Sequence, residues 1–439
     1  MGTQFTVPAD RLERALPDKK PLLSYAEARA EADRCLYCSD APCIKACPTS
    51  IDIPTFIKKI ATGNLRGSAR TILEQNILGY SCARVCPTEV LCEGACVYSG
   101  WQKAPIKIGR LQRYATEHTG QTPIFTPKPA PKSGQKRVAC VGGGPASLAF
   151  AAYIALEGHK AVVFEKRPLP GGLNTTGIAP YKLQVEDAIW EIEWITKLGV
   201  EVKCGVEIGK DVSAHALLDG YDAVFLGLGL GEDSKLRAHG EDGPGVFGAV
   251  DWIERMKTLK KSDVHLSLGK VVVIGGGNTA IDVARECAQL GAPSVTMVYR
   301  RGADEMSGYH HEMESARKEG VMLVTHAQPV GFVRDTQGKL TGVRVAKMQA
   351  GKATFEYEIA CDVACLAIGQ SKLREIARAF PGVELDGRGC VVASLENGAT
   401  GNPKVFSGGD CVNGGKEVVN AVADGRNAAR YLAAKWEKQ

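Results

Sequence analysis

The sequence predicts an α/β fold with two parallel-sheet domains, preceded by a region of α-helices. Three observations predict it. An apolar strand, a glycine turn, a helix and a second strand follow one another at residues 138–166, and this succession returns at residues 270–301. Ahead of both, residues 35–96 hold eight of the 15 cysteines. The repeated pattern is typical of a two-dinucleotide-binding flavoprotein with two Rossmann-like domains, and the cysteines add a metal-ligating domain before them.

The composition is that of an ordinary globular chain with more than one core. Of its 439 residues 44% are hydrophobic, so the chain should divide into two or three domains. A net charge of +5, with no basic run interleaved with aromatics, argues against nucleic acid and membrane binding. The N-terminus has no apolar segment of the kind that directs export, and no stretch of eighteen apolar residues follows. We therefore expect a cytoplasmic protein.

The N-terminal cysteines fall into two groups of four, at positions 35, 38, 43 and 47 and at positions 82, 86, 92 and 96. Closely spaced thiolates followed by proline, as at Cys47 and Cys86, are typical of [4Fe-4S] clusters, in which each iron needs one protein ligand. Structural zinc is the alternative. Its usual pattern is two C-x2-C knuckles, and only Cys35 and Cys38 form one here. The spacing favours an iron–sulfur domain with two clusters.

Helices should surround these cysteines. Residues 24–34 are strong helix formers behind a cap at Ser24. Residues 53–76 have helical spacing that breaks at Gly63 and Asn64, which predicts two short helices packed over the clusters. Residues 121–136 are rich in proline and lysine, so we expect an extended linker there, after an α-helical domain of residues 1–120.

The first glycine turn predicts an FAD site. Gly142 permits the tight turn, Gly144 lets the backbone approach a pyrophosphate, and Ser147 takes the third small position. The pyrophosphate would lie at the N-terminus of the helix that begins near Pro145, where free N–H groups favour an anion. Glu165 ends the next strand, 23 residues after the first glycine, where it would bind the ribose. The FAD contacts predicted in this stretch are Gly142, Gly144, Pro145, Ala146, Ser147, Glu165 and Lys166.

The second glycine turn predicts a nicotinamide site. Arg300 and Arg301 replace the acid that ends the first pattern, and arginine in that place usually accepts the 2′-phosphate of NADP. The acids at positions 304 and 305 would repel a phosphate, which favours NADH slightly over NADPH. A third apolar strand, residues 361–369, should end near the nicotinamide. The predicted NAD(P)H contacts are Gly275, Gly277, Asn278, Thr279, Ala280, Arg300, Arg301, Ala367, Ile368 and Gly369.

The C-terminal segment returns to the flavin. In residues 404–410 an acid follows two glycines beneath a strand, and Gly409 and Asp410 are predicted to contact FAD. A helix predicted at residues 418–435 would point its N-terminus at the flavin. The FAD-binding domain is then discontinuous, residues 137–229 and 372–439, with an NAD(P)H-binding domain of residues 230–371 between its parts. His310 and His311 are interpreted as surface residues.

The sequence resembles a known family from about residue 23 to about residue 432. The pieces A-P-C-I-K-A-C-P-T-S-I-D-I-P, L-C-E-G-A-C, G-R-L-Q-R-Y-A-T-E and G-G-G-P-A-S are similar to dihydropyrimidine dehydrogenase and, less closely, to the small subunit of bacterial glutamate synthase. The resemblance implies two cluster ligand sets and leaves Cys82 without iron. The implied sets are Cys35, Cys38, Cys43 and Cys96 for the first cluster, and Cys47, Cys86, Cys92 and Gln112 for the second.

The resemblance also assigns the loop after Glu165. Residues 168–182 are too rich in glycine and proline for helix or strand, and alone they indicate a surface loop. In the resembling reductases the equivalent residues lie along the flavin, which here are Gly172, Leu173 and Lys182. Catalysis would run through the flavin, so no catalytic side chain is assigned, and Lys182 is expected beside the flavin.

The resemblance implies an electron-input subunit of a bacterial NAD-dependent dihydropyrimidine dehydrogenase. Electrons would pass from NAD(P)H through FAD and two [4Fe-4S] clusters to an FMN/iron–sulfur catalytic subunit, in a heterotetramer that reduces uracil or thymine to the 5,6-dihydro forms. The bacterial relatives that reduce pyrimidines use NADH. A glutamate synthase small subunit and a general NAD(P)H:ferredoxin-type electron-transfer module are the alternatives.

Overall fold

The computed structural model of the protein describes residues 5–120, 124–132, 134–264 and 268–438. In these residues an N-terminal helical region precedes two five-stranded sheets and one three-stranded sheet. Both larger sheets are parallel throughout. Among the described residues, no helix combines the length and the apolar character needed to span a bilayer.

Seven helices form the N-terminal region. Ser24 caps the first in a capping box, because its side chain accepts the backbone N–H of Glu27 while the Glu27 carboxylate accepts that of Ser24. The predicted break at Gly63 and Asn64 is confirmed, since Asn64 caps a new helix through the backbone N–H of Gly67 at 2.9 Å. The helices are α1 (Tyr25–Asp33), α2 (Pro42–Lys45), α3 (Ile53–Ala61), α4 (Leu65–Gln75), α5 (Gly79–Val85), α6 (Val97–Gly100) and α7 (Ile108–Glu117).

The first parallel sheet contains the first glycine turn. The loop after β2 was expected to lack regular structure, but it contains a four-residue helix, α9, because Gly172 takes a positive φ of 53° and starts a new turn. That expectation was wrong. The elements are β1 (Arg137–Val141), α8 (Pro145–Leu156), β2 (Lys160–Glu165), α9 (Leu173–Thr176), α10 (Val185–Thr196), β3 (Glu201–Cys204), α11 (Ala214–Gly220) and β4 (Ala223–Leu226).

The second parallel sheet contains the second glycine turn, and before its last strand the chain forms a three-stranded antiparallel sheet that the sequence did not predict. The elements are β5 (Val246–Gly248), α12 (Ala249–Thr258), β6 (Lys270–Ile274), α13 (Asn278–Gln289), β7 (Ser294–Val298), α14 (His310–Lys318), β8 (Met322–Val324), β9 (Ala327–Arg334), β10 (Leu340–Gln349), β11 (Lys352–Ala360) and β12 (Val363–Leu366).

The chain then returns to the first sheet. Its elements there are α15 (Arg374–Arg378), β13 (Val405–Ser407), α16 (Asp410–Asn413) and α17 (Val418–Glu437). The first sheet has the order β13-β4-β1-β2-β3 and the second the order β5-β12-β6-β7-β8. The antiparallel sheet has the order β11-β10-β9.

The helix α17 packs closely on α8 beside the first sheet. A Cβ at Gly425 would overlap the carbonyl oxygen of Ala146, so the two helices approach through glycine. The described parts of the predicted linker, residues 124–132 and 134–136, contain no helix or strand, and residues 121–123 and 133 lie outside the described residues. Its Lys128 N–H donates to the Leu156 carbonyl at 2.9 Å, so this segment lies along the end of α8.

Candidate functional site

The first glycine turn forms an open cradle in front of α8. Gly142 has a φ of 91°, and a Cβ there would come within 2.6 Å of the Gly227 carbonyl oxygen, so only glycine fits. At Gly144, the N-cap of α8, no atom lies within 4 Å of the position that a Cβ would occupy. The free N–H groups of α8 therefore face open space, which fits a pyrophosphate. Ser147 supplies the close contact, because a Cβ at Gly227 would overlap its hydroxyl.

Glu165 lies beside this cradle and is buried. One carboxylate oxygen accepts the backbone N–H of Gly143 at 2.7 Å, and the other accepts that of Arg167 at 2.8 Å. These two bonds fix the carboxylate at the end of β2. The predicted neighbour Lys166 is exposed.

Carboxyl groups from the C-terminal segment surround the same end of the first sheet. Gly409, with a φ of 78°, lies against α8, since a Cβ there would come within 3.1 Å of the Ala146 Cβ. Its N–H donates to Asp424 at 2.9 Å, and Asp410 accepts the N–H of Lys416 at 3.0 Å. Burial raises the pKa of Asp410 and of Asp424. Glu417, the N-cap of α17, accepts the Tyr309 hydroxyl at 2.7 Å, and burial raises its pKa too.

The 172–183 loop brings the first sheet into contact with the second. A Cβ at Gly172 would come within 3.0 Å of the Gly144 Cα, so the loop packs on the first glycine turn before Leu173 begins α9. Lys182 lies at the far end, where its ammonium binds Asp282 at 2.6 Å and Glu312 at 3.0 Å. Burial opposes the charge, but these two carboxylates raise the pKa of Lys182. Its charge is therefore engaged by the second sheet's helices, and its place along a flavin stays a prediction.

The second glycine turn opens into a cavity of about 640 Å³. A Cβ at Gly275 would overlap the Ala367 carbonyl oxygen, which holds the turn against the end of β12. Two predicted residues lie off the cavity wall: Asn278 accepts the Tyr309 N–H at 2.9 Å, and Ala280 is a buried residue of α13. The other eight line it, namely Gly275, Gly277, Thr279, Arg300, Arg301, Ala367, Ile368 and Gly369.

One of the acids beside Arg300 and Arg301 takes part in the local turn. Glu305 accepts the Gly302 N–H at 3.0 Å and lies 3.8 Å from the Arg301 guanidinium. This carboxylate is close enough to compete with a phosphate for Arg301. The cavity also has polar lining residues that sequence reasoning missed, because they come from segments with no motif: Asp233, Ser307, Gln328 and Gln370.

The four cysteines of the first implied set surround one largely apolar pocket. Cys35, Cys38, Cys43 and Cys96 line it together with isoleucines such as Ile57. Burial raises the pKa of Cys43 to about 12, and Cys35 and Cys96 add to the shift as neighbouring charges. An apolar, multi-thiol pocket of this kind fits an iron–sulfur cluster, whose thiolates become charged only when they bind iron.

The second implied set consists of Cys47, Cys86, Cys92 and Gln112, and its three cysteines are half-buried. Burial raises the pKa of Cys92, and Cys86 and Cys47 act on it as neighbours. Cys82, which the resemblance leaves without iron, is within hydrogen-bonding distance of Cys86. Gln112 is buried, and its amide nitrogen donates to the Gly79 carbonyl at 2.8 Å.

The arrangement of these thiols differs from that of a single-ion site. Among the described residues, no three His, Cys, Asp or Glu side chains converge closely enough to hold one metal ion. A zinc site places every thiolate about 2.3 Å from one ion, whereas in a cluster each thiolate binds its own iron. Cysteines spread around a pocket fit the second arrangement.

The two implied cluster sets contact the cores differently. In the second set, Cys86 contacts the core of the first sheet, and Cys47 contacts both that core and the core of the helical region. The other cysteines of the two sets that contact a core pack in the helical region, namely Cys92 of the second set and Cys35, Cys43 and Cys96 of the first. The second set is therefore the one that reaches the first sheet.

The helix α14 also contacts the helical region, so the interpretation of His311 as a surface residue is wrong, whereas that of His310 is confirmed. The His310 side chain is 85% exposed, but that of His311 is only 26% exposed, and its Nε2 lies 3.5 Å from the Glu89 carboxylate. His311 stacks on the Tyr309 ring at the start of α14, which turns it toward residues 88–90.

Two family models match the chain. Residues 13–123 match dihydropyrimidine dehydrogenase domain II, 4Fe-4S cluster. Residues 136–425 match pyridine nucleotide-disulphide oxidoreductase, which is more than half of the chain. The chain belongs to the pyridine nucleotide-disulphide oxidoreductase family. The predicted fold class, a two-dinucleotide-binding flavoprotein behind a helical iron–sulfur domain, is confirmed.

Full-length relatives carry two different names. The small chain of glutamate synthase [NADPH] from Escherichia coli K12 is 35% identical over 95% of this chain and 96% of its own. The NAD-dependent dihydropyrimidine dehydrogenase subunit PreT from Salmonella typhimurium is 37% identical over 96% of both chains. A longer relative has a third name: the putative oxidoreductase AegA from E. coli K12 is 33% identical over 92% of this chain and 65% of its own.

Solved structures share the fold of the C-terminal part. Thioredoxin reductase from T. acidophilum superposes with a TM-score of 0.57 at 22% identity, over 69% of this chain and 99% of that one. A 2-naphthoyl-CoA reductase gives a TM-score of 0.54 at 22% identity, over 86% and 52%. The protein is thus an oxidoreductase of a family that uses FAD and NAD(P)H, with a [4Fe-4S] region at its N-terminus.

Proposed function

We propose that the chain is the electron-input subunit of a dihydropyrimidine dehydrogenase. It takes a hydride from NAD(P)H onto FAD and passes the two electrons, one at a time, through two [4Fe-4S] clusters to an FMN-containing catalytic subunit. The partner adds two electrons and two protons to the 5,6 double bond of uracil or thymine. NAD(P)H and one proton are consumed for each dihydropyrimidine formed. The two kinds of subunit form a heterotetramer.

The observation that carries the proposal is the position of the second implied set, Cys47, Cys86, Cys92 and Gln112. Its Cys47 and Cys86 contact the core of the first sheet, which also contains the first glycine turn, whereas Cys35, Cys43 and Cys96 of the first set pack in the helical region. Electrons that leave a flavin at the first turn would therefore meet the second set before the first. The flavin supplies the change from two-electron to one-electron transfer when it is bound.

The proposal assigns FAD and NAD(P)H to particular residues. FAD is bound at the first glycine turn, with Glu165 on the ribose and Asp410 on the flavin side. NAD(P)H occupies the cavity at the second turn, where eight predicted contacts meet. NADH remains slightly favoured, since the Glu305 carboxylate lies 3.8 Å from the Arg301 guanidinium and would compete with a 2′-phosphate for it.

The rival function is that of a glutamate synthase small chain, which the 35% identity to the E. coli chain supports nearly as well. Gln112 favours dihydropyrimidine dehydrogenase, since the glutamate synthase subunits that the sequence resembles tend to carry glutamate there. A general donor to ferredoxin-like proteins is the third candidate.

Coupled turnover separates these candidates. The chain is co-expressed with its genomic neighbours, purified through a tag on this chain, and supplied with NADH or NADPH. The proposal predicts an FMN-containing partner and dihydrouracil formation that stops when this chain is omitted. Glutamate formation from glutamine and 2-oxoglutarate, in a complex with a much larger subunit, would overturn it. Uracil reduction by this chain alone would overturn it as well.

A further inference from the structure

Lys257 is a fully buried cation that crosses from one parallel sheet to the other. It belongs to α12, whose Ile253 and Met256 lie in the core of the second sheet. Its ammonium reaches into the first sheet's 172–183 loop and donates to three carbonyls there. A lysine ammonium has three N–H donors, and here each has an acceptor. The acceptors are the carbonyl oxygens of Asn174 at 3.0 Å, Ile178 at 3.0 Å and Leu183 at 2.6 Å.

The loop that receives Lys257 is also the loop that packs on the first glycine turn, through Gly172 and Gly144. The Lys257 side chain thus links α12, which borders the nicotinamide cavity, to the loop that packs on the first glycine turn. Any rotation of the second sheet relative to this loop would break bonds to a buried ammonium. Such a loss is costly, because a buried charge without partners cannot recover its hydration.

Two buried carboxyl groups from other elements act on the Lys257 ammonium. Glu13, from the short helical turn Leu12–Ala15, is fully buried and binds Arg11. Glu286, on α13, is also fully buried, and neither of its carboxyl oxygens has a hydrogen-bond partner. Burial lowers the pKa of Lys257 to about 8, with Glu13 and Glu286 opposing that shift, and burial raises the pKa of both acids. The three carbonyl acceptors fix the group as an ammonium, because a neutral amine has only two N–H donors.

Other polar contacts hold the same interface. The Tyr181 hydroxyl donates to Asp282 at 2.7 Å, and Lys182 binds the same carboxylate at 2.6 Å. Arg167 pairs with Glu254 of α12 at the surface. Lys257 is the member of this set that is fully buried and makes three bonds.

We propose that Lys257 is a positioning residue for hydride transfer. It fixes the nicotinamide cavity relative to the flavin loop, so that the donor carbon of NAD(P)H meets the flavin in a reactive orientation. The inference rests on the hydride step of the proposed function, but not on the identity of the final electron acceptor.

The test compares Lys257→Met with Lys260→Met in the full-length, cofactor-loaded protein. Met keeps the length of the apolar stem and removes the three donors, and Lys260 is an exposed lysine two residues beyond the end of the same helix. Anaerobic stopped-flow absorbance follows flavin reduction by NADH and by NADPH. Light-driven reduction with a deazaflavin sensitiser, which needs no nicotinamide, is the reference reaction for each variant.

For Lys257→Met we expect nicotinamide-driven reduction to slow about tenfold to a hundredfold, as small misplacements of reacting groups do. The saturation constant for the nucleotide should change less than about threefold, because its binding residues are intact. Light-driven reduction should match the wild type, and backbone amides of the 172–183 loop should exchange hydrogen faster. Lys260→Met should behave as the wild type in every assay.

A Lys257→Met protein that holds FAD and is reduced by nicotinamide at the wild-type rate would overturn the inference. An equal slowing of light-driven and nicotinamide-driven reduction would overturn it too, since the flavin site itself would then be damaged. If Lys257→Met is recovered without FAD, Lys257→Gln, which retains amide donors, is judged by the same criteria. These assays use no partner, so a failure to reduce uracil leaves their outcome unaffected.

Discussion

The carboxylate of Glu191, on α10, accepts the backbone N–H of Tyr80, in the first turn of α5, at 2.8 Å. It also accepts the N–H of Ser81. A side chain of the first sheet thereby satisfies the free donors at the start of the helix that leads to Cys86. This contact ties the flavoprotein part to the cysteines, and the proposed electron route depends on that attachment.

Glu191 should make stability depend on pH. Burial raises its pKa from 4.5 to about 7, so between these values the folded state binds more protons than the unfolded state. Stability from this group is complete below pH 4.5 and is lost as the pH rises through 7. We expect the difference in thermal midpoint between Glu191→Gln and the wild type to grow in favour of the variant from pH 5.5 to pH 8. Parallel curves for the two proteins would refute this role.

Arg426, on α17, should contribute strongly to docking of the helical region. Its guanidinium is buried and donates to the carbonyls of Thr49 at 2.5 Å and Gln75 at 2.8 Å. Arg426→Met should lower the free energy of unfolding by about 2–4 kcal/mol, because buried carbonyls lose their donors. The neighbouring Arg430→Met, which removes an exposed guanidinium, should cost less than about 1 kcal/mol. Denaturant titration measures both, and equal losses would contradict the assignment.

Gln112 is proposed to hold iron in the second cluster, where Cys82 does not. Gln112→Ala should therefore lose about four of about eight irons per chain, while Cys82→Ala keeps them all. Iron and sulfide analysis with a flavin assay gives the counts. The reverse result, iron lost with Cys82→Ala and kept with Gln112→Ala, would make Cys82 the ligand.

Arg300 should decide whether a 2′-phosphate is accepted. The proposal favours NADH slightly over NADPH. Arg300→Ala should reduce the kcat/KM for NADPH about tenfold, because the guanidinium that would bind the 2′-phosphate is lost. The kcat/KM for NADH should stay within about twofold of the wild-type value, because NADH has no 2′-phosphate. Ferricyanide reduction by the isolated protein measures both. If the wild type prefers NADPH by a wide margin and the Arg300→Ala variant loses that preference, the proposed slight preference for NADH is wrong.

Sequence reasoning predicted the features whose residues lie close together in the chain. A glycine turn such as Gly142–Gly144 includes its strand, turn and helix within some twenty residues, and cysteine spacing is equally local. The antiparallel sheet was missed although Ala350 and Gly351, both at positive φ, make a two-residue turn between β10 and β11. That turn was a usable signal.

No local sequence pattern predicted the contacts between the domains. Lys257 meets Asn174, 83 residues away, and Glu191 meets Tyr80, 111 residues away. Each of these side chains lies on an amphipathic helix whose pattern predicts an exposed charge as readily as a buried one. Only the packing of the two sheets and the helical region shows which charges become buried and what they bind.

The central claim is that one chain accepts electron pairs from a pyridine nucleotide and passes them singly to iron–sulfur clusters. Anaerobic titration of the isolated protein with NADH, followed by visible absorbance and low-temperature paramagnetic resonance, tests it most directly. The account predicts bleaching of the flavin band together with bleaching of the broad iron–sulfur absorbance or the appearance of a reduced-cluster signal. Flavin bleaching with no change in the iron–sulfur centres, under NADH and under dithionite alike, would contradict it.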